Sequence, residues 1–422
     1  MNRNNFLAIL TVLFAAINLS AYCQTTISSN QIIPGAERTT AYFPLLKGKR
    51  VAVFANQTSM VKQTHLVDTL LNSGITVVKI FSPEHGFRGD ASAGQELNDS
   101  TDKKTEIPII SLYGNHLKPT AAELKDVDVM LFDIQDVGVR FYTYISSLQY
   151  YIEAAIENYK PLIILDRPNP NGFYIDGPVL DTAYKSFIGV QPIPVVYGMT
   201  IGEYAQMLLY ERWLYQDDSL LNRRSGECIM RFRGKPFAPG FSLTVITCEN
   251  YDHNSHYNLP INPSPNLKEM QAIYLYPSTC FFEGTAISEG RGTDKPFEIF
   301  GHPSLPKTLY AFTPKPNAGA KSGKYFNQQC YGWNLSGTTE SILKTLNKKI
   351  QLRYLLDAYK LFTNKDTFFL KNNFFNKLAG NAILMQQIKD GKTETEIRKT
   401  WEADLQKFKV IRKKYLLYKD FE

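Results

Sequence analysis

The chain has 422 residues, 44% of them hydrophobic and 21% charged, which is ordinary globular composition at a length suited to two domains. A formal net charge of +7 is mild for that length, and its excess sits in C-terminal stretches such as residues 407–414. That pattern reads as a solvated helix face and speaks against a nucleic-acid partner.

Residues 1–23 read as a secretory signal peptide: Arg3 gives a positive start, residues 6–17 an apolar run, and Ala21 and Cys23 the small residues of a cleavage site. The run is too short for a comfortable membrane span. Acylation at Cys23 is the rival reading, and bulky Tyr22 counts against it. Since no later segment is long and apolar enough to cross a bilayer, the expectation is an exported protein, periplasmic or secreted, with no transmembrane span after cleavage. Of the remaining cysteines, Cys228, Cys248, Cys280 and Cys330, none stand at CxxC spacing, and there is no HExxH among the six histidines, so no metal or other cofactor is expected. Export permits a disulfide, and buried free thiols are the equal alternative.

Residues 24–48 are polar and turn-rich, a lead-in segment. From residue 49, short apolar runs alternate with helical stretches. Strands are predicted over residues 51–55, 75–81, 107–112, 127–134 and 161–165, and helices over 64–72 and 143–158. Strands apolar throughout are buried on both faces, and helices between them imply parallel order. The fold class expected is therefore α/β, with a Rossmann-like, mostly parallel sheet domain over residues 49–216. Thr200 and Glu203 form a capping box that starts a helix reaching about residue 215. Residues 217–227 read as the boundary, and 228–422 as a smaller mixed α/β domain with a helical C-terminus. In it we expect strands over 229–233 and 243–248, a Pro-rich loop over 259–265, a helix near 267–275, strands near Phe297 and Tyr331, and a helix from the capping box Thr393/Glu396 to about residue 418.

Three of the buried strands finish in polar, turn-forming sequence: FSPEHG (81–86), FDIQDVGVRFY (132–142) and LDRPNPNG (165–172). Ligands of open parallel sheets sit outside the carboxyl ends of the strands, where these loops would converge. There is no GxGxxG after the first strand, which argues against a dehydrogenase, and no GxSxG, which leaves a nucleophile-elbow hydrolase unsupported. Candidate ligand contacts are Asp133, Gln135, Asp136 and Tyr142 from the second loop and Arg167, Asn169 and Asn171 from the third, although Asp166-Arg167 would serve equally as a structural ion pair and Asn-Pro is common turn chemistry. The second domain adds Asn262, Ser264 and Asn266 on a stiff Asn-Pro-Ser-Pro-Asn loop, and carboxylates beside glycine at Glu283 and Glu289. Amides and carboxylates satisfy sugar hydroxyls, and the chain's 25 Tyr and 26 Phe offer ring faces for stacking. Paired carboxylates are what glycosidic cleavage needs, one as acid and the other as base or nucleophile.

FSPEHGFRGDASAGQ, FDIQDVGVRFYTY, LDRPNPNG with DGPVLD, PIPVVYGMTIGEYA, NLPINPSPNL, and YPSTCFFEGT with GRGTDKPFEIFGHP resemble, in that order, the exo-β-N-acetylmuramidase family NamZ, from about Gly48 to the final KKYLLY. The resemblance implies an exo-acting glycoside hydrolase of cell-wall recycling that releases N-acetylmuramic acid from the non-reducing end of peptidoglycan fragments. It implies a Rossmann-like domain joined to a smaller α/β domain with the cleft between them. It further implies Glu84 as one catalytic carboxylate and Glu283 as its partner, with Glu289 the rival, Asp133 and Asp136 further candidates, and His85 orienting Glu84. The lactyl carboxylate of the substrate needs a cation, for which Arg88, Arg140 and Arg291 are the candidates. A route assisted by the substrate's acetamido group, and either stereochemical outcome, stay open. The alternative function is a non-catalytic wall-fragment binding protein, and a wall-peptide esterase or amidase is a third class.

Overall fold

Val51, Ala52, Val53, Phe54 and Ala55 are all fully buried, which requires a strand at the middle of a sheet that is covered on both faces. In the computed structural model of the chain, which describes residues 31–87, 99–214 and 241–422 and the short strands Arg231–Phe232 and Lys235–Pro236, that strand is β1 (Arg50–Ala55). Its neighbours are β2 (Thr76–Ser82), β3 (Ser100–Thr101), β4 (Pro108–Ser111), β5 (Val129–Asp133), β6 (Leu162–Leu165) and β7 (Leu243–Ile246). They form one seven-stranded sheet in the order β7-β6-β5-β1-β2-β4-β3. All pairs are parallel except β3 with β4, at one edge.

Alternation along the strands feeds two separate cores. Ala52, Phe54, Phe132 and Ile164 point to one face, with Ile145, Leu148 and Ile152 of α3 (Tyr144–Glu157) above them; α1 is Thr39–Leu46 and α2 is Leu66–Asn72. Val51, Val53, Leu131 and Leu165 point to the other face, against Tyr42 and Leu46 of α1 and Leu66, Val67 and Leu70 of α2. The lead-in expected over residues 24–48 is thus part of the fold from Ile33 onward: the Ile33 amide bonds the Glu249 carbonyl at 3.0 Å, and α1 seals the second core. Residues 24–30, like the expected leader, Cys23 and Cys228, lie outside the described residues.

The helix α4 (Ile201–Tyr210) starts from the expected capping box, with both reciprocal bonds of Thr200 and Glu203 made. It stops before residue 215 because Arg212 turns left-handed (φ 59°) and Trp213 folds back, its amide bonding the Leu208 carbonyl. The strand predicted over residues 243–248 within the second domain instead extends the large sheet, as β7 paired to β6.

Beyond it, α5 (Met270–Thr279) contains Pro277 and tightens into a 3-10 turn, Cys280–Gly284. A smaller antiparallel sheet follows, β8 (Ile299–His302), β9 (Tyr310–Phe312) and β10 (Cys330–Asn334), in the order β8-β10-β9. Six helices complete the chain: α6 (Thr339–Leu346), α7 (Arg353–Leu361), α8 (Phe374–Ala379), α9 (Ile383–Lys389), α10 (Glu394–Lys399) and α11 (Glu402–Arg412). The single helix expected from Thr393 to about residue 418 is broken at Thr400 and Trp401, where the Thr400 hydroxyl bonds back to the Ile397 carbonyl and Trp401 enters the core. The core on the α3 face runs on through Phe281, Phe297 and Phe300 to the C-terminal helices, so Ile33–Glu422 is one packed body. Cys248, Cys280 and Cys330 are buried free thiols. Among the described residues, no helix is long and apolar enough to cross a membrane.

Candidate active site

Strand β2 ends at Ser82, and the chain turns at once. Gly86 bonds back to the Pro83 carbonyl at 3.0 Å, and both His85 (φ 70°) and Gly86 (φ 76°) are left-handed. Glycine adopts that conformation freely, whereas a histidine held in it is uncommon, and such residues concentrate at functional sites. The turn puts half-buried Glu84 and buried His85 on the wall of a cavity of about 440 Å³, a size typical of small-ligand sites. The next wall follows β5, where Phe141, Tyr142, Thr143 and Tyr144 lead into α3. The Thr143 hydroxyl donates to Glu84 Oε2 at 3.3 Å.

Tyr142 and Tyr144 pack edge to face with ring centroids 4.7 Å apart, and both hydroxyls donate to the Pro263 carbonyl (2.8 and 3.2 Å). Those bonds lock the Asn-Pro-Ser-Pro-Asn loop, whose Ser264 Oγ lies 3.4 Å from His85 Nε2 on the cavity wall. Burial drives the Tyr144 hydroxyl pKa well up, so it stays a neutral donor.

The opposing wall comes from the second half of the chain. The 3-10 turn after α5 presents Glu283, and Gly284 next to it has no room for a Cβ, which would come within 2.5 Å of the Phe375 backbone. Both oxygens of Glu283 are engaged: Oε1 accepts from Arg291 Nε (3.0 Å) and Nη2 (2.6 Å), and Oε2 from the Cys280 thiol (3.3 Å). Arg291 also reaches Glu289 at 3.4 Å and lies over the Phe297 ring at 5.1 Å. Burial alone would lower the Arg291 pKa, but Glu283 and Glu289 together raise it. Glu289 is buried, which would raise its pKa, yet Lys324 (3.0 Å) and Arg291 hold it below the ordinary value.

Of the residues expected at the site, Glu84, His85, Tyr142, Ser264, Glu283 and Arg291 line this one cavity. Arg88 lies outside the described residues. Glu289 stands behind Glu283, lining an adjoining recess with Lys324. Asn266 is a brace, its Nδ2 donating to the Gly319 carbonyl at 2.8 Å, and Asn262 is exposed beside the cavity, its carbonyl accepting from Gln57.

The remaining expected contacts sit elsewhere. Asp133 and Arg167 form a buried bidentate pair (2.6 and 2.8 Å) under the strand ends, so the arginine's partner is Asp133 rather than Asp166. Gln135 ties down the Asp136 and Pro168 carbonyls, Asp136 accepts from Gly138 and Tyr197, and Asn169 and Asn171 bond the Met199, Val137 and Ile273 carbonyls. Arg140 is fully buried and donates to the carbonyls of Pro178, Ile193 and Leu378; burial pushes its pKa down to about 9. The third strand-end loop is therefore structural. The sequence reading also did not single out Tyr113, Phe187, Ile188, Tyr276, Phe374 or the segment Gly319, Ala320, Lys321 and Ser322, all on the cavity wall. Most of these are aromatic or on irregular loops, where no periodicity separates them from core or linker.

Two carboxylates from distant parts of the chain thus share one aromatic-walled cavity with a guanidinium. Sequence models of the exo-beta-N-acetylmuramidase NamZ match the chain, the N-terminal one over residues 51–271 and the C-terminal one over 274–418. The peptidoglycan beta-N-acetylmuramidase NamZ of Bacillus subtilis (strain 168) is 37% identical over 441 aligned positions, covering 99% of this chain and 100% of that protein. The crystal structure of a DUF1343 family protein (BF0379) from Bacteroides fragilis NCTC 9343 is similar with a TM-score of 0.80 at 47% identity, covering 92% of this chain and 99% of that one. A second DUF1343 protein (BF0371) from the same organism gives 0.70 at 26% identity over the same shares. The chain belongs to the NamZ exo-β-N-acetylmuramidase family.

Proposed function

We infer that the protein is a glycoside hydrolase that releases N-acetylmuramic acid from the non-reducing end of peptidoglycan fragments. The observation that carries this reading is the meeting of Glu84 and Glu283 on opposing walls of one cavity rich in tyrosine, phenylalanine and hydroxyl groups. A binding protein would need the rings and hydroxyls but not the carboxylates. We assign roles from the contacts. Glu283, gripped by Arg291 and by the Cys280 thiol, acts as the carboxylate that activates water or faces the oxocarbenium-like transition state. Glu84, on the tight turn with His85 and Thr143 beside it, protonates the departing glycosidic oxygen. Phe141, Tyr142 and Tyr276, packed edge to face, add ring faces to the cavity lining. Export by the N-terminal leader fits a substrate found outside the cytoplasmic membrane.

The test uses a disaccharide fragment and a nitrophenyl β-N-acetylmuraminide, whose leaving group needs no proton. Glu84→Gln should lose about 10²–10⁴-fold in kcat on the disaccharide and far less on the nitrophenyl glycoside. Glu283→Gln should lose comparably on both. Full turnover of the disaccharide by either variant would remove that residue from the chemistry, and absence of sugar release by the wild type would favour the binding protein.

A further inference from the structure

The sugar proposed as substrate differs from its commoner relative, N-acetylglucosamine, by a lactyl ether that carries a carboxylate. A site that selects it has to meet that negative charge with a cation. Arg140 cannot, since its guanidinium is sealed among backbone carbonyls. Arg291 is held between two carboxylates, Glu283 and Glu289, and its Nε and Nη2 donors are turned onto Glu283. Among the described lining residues the other permanent cation is Lys321, exposed on the cavity wall next to Ser322.

The loop bearing Lys321 is fixed on both sides. Before it, Asn317 Oδ1 accepts from the Gly319 and Ala320 amides (3.0 and 2.9 Å), and Asn266 holds the Gly319 carbonyl. After it, Lys324 Nζ donates to the Phe282 and Ile287 carbonyls (2.8 Å each) and pairs with Glu289. Phe282 adjoins Glu283, so the loop is bolted to the turn that carries the proposed catalytic carboxylate. These bonds position the backbone on either side of Lys321; its ammonium has three rotatable donors, so a contact with the protein leaves others for a ligand.

We propose that Lys321, with the Ser322 hydroxyl beside it, binds the lactyl carboxylate and is the residue that makes the cavity select N-acetylmuramic acid. The proposal rests on the glycosidase reading above, and its test is arranged to be scored separately. Wild type, Lys321→Met and Lys321→Arg are compared on a nitrophenyl β-N-acetylmuraminide and on the same compound with its lactyl group as the methyl ester. The wild type should prefer the free acid by about ten- to a hundred-fold in kcat/KM, the range of one charge-assisted hydrogen bond. In Lys321→Met that preference should collapse towards unity, through KM on the acid, while Lys321→Arg keeps most of it. Persistence of the preference in Lys321→Met, or equal losses on both compounds, would overturn the assignment. Should the wild type hydrolyse neither compound, the glycosidase reading fails. Calorimetric affinities for free N-acetylmuramic acid and its methyl ester then decide on Lys321 alone, and an acid-to-ester ratio unchanged by Lys321→Met counts against it.

Discussion

Asp136 accepts from the Gly138 amide and the Tyr197 hydroxyl through Oδ2, while its Oδ1 has no partner among the described residues. Burial, only partly offset by those donors, pushes its pKa up from 3.8 to about 6. The sign follows from proton counting. Between about pH 4 and pH 6 the folded chain holds a proton that the unfolded chain has released, so stability falls as pH rises through that window and stays lower above it. A shift of about two units corresponds to about 3 kcal/mol. Asp136→Asn carries no such titration. The stability of the wild type minus that of the variant, from urea unfolding, should therefore drop by about 2 kcal/mol between pH 4 and pH 7. A flat difference would mean that the carboxyl is already solvated. Asp136 also shows why the polar residues at the strand ends were read as ligand contacts. A sugar site and a buried hydrogen-bond network draw on the same acids and amides, and composition does not tell which of them face a cavity.

Two helices start with the same four-residue device in different surroundings. In the capping box of α4, Thr200 Oγ1 also donates to the buried Asp166 (2.7 Å), and Glu203 bonds His253 and the Leu417 amide. In the box of α10, Thr393 and Glu396 are exposed and bond each other. Loss of an ordinary N-cap costs about 1 kcal/mol, which is the effect expected of Thr393→Ala in urea unfolding. Thr200→Ala removes a cap and also takes a donor from a buried carboxylate, so about 2–4 kcal/mol is expected. Equal costs would show that burial adds nothing to the motif. Both boxes were legible in sequence because they are local, as were β1, β5 and β6, whose interior side chains are apolar on both faces, and β2, which is interrupted only by Lys79. One element, α1, and the placement of another, β7, were not. α1 carries an internal Pro44 and buries only Tyr42 and Leu46, too few for a periodic signal. β7 is a short, half-buried edge strand far along the chain from its partner β6, so its membership of the large sheet is a tertiary fact. Glu84 and Glu283 stand beside glycines in the sequence, but it is the family resemblance that singles them out as candidates; Lys321, on a loop without regular structure, carries no mark in the sequence.

At the scale of the molecule, the last residues tie the end of the chain back to the large sheet. Arg412 is fully buried, bonding the Gly198 carbonyl and pairing with Asp420, and the His253 amide donates to the Lys419 carbonyl. Tyr418 donates to Asp166 Oδ2 at 2.6 Å, just past the end of β6, and accepts from the Cys248 amide at 2.9 Å. Asp166 has two other donors, Thr200 and Gly202, and burial raises its pKa to about 6 even with the Tyr418 bond working to lower it. Tyr418→Phe deletes that donor and strands the Cys248 amide, so a loss of about 2–3 kcal/mol is expected from a residue more than two hundred positions from its partner in sequence. The bond is strongest to the ionised carboxylate. The loss measured by urea unfolding should therefore be larger at pH 8, where Asp166 is charged, than at pH 5, where it is mostly protonated. Neither residue lines the cavity, so KM for an N-acetylmuraminide should hold while stability falls. A pH-independent loss, or a rise in KM as large as the change in stability, would mean that the tail acts on the site and not only on the sheet beneath it.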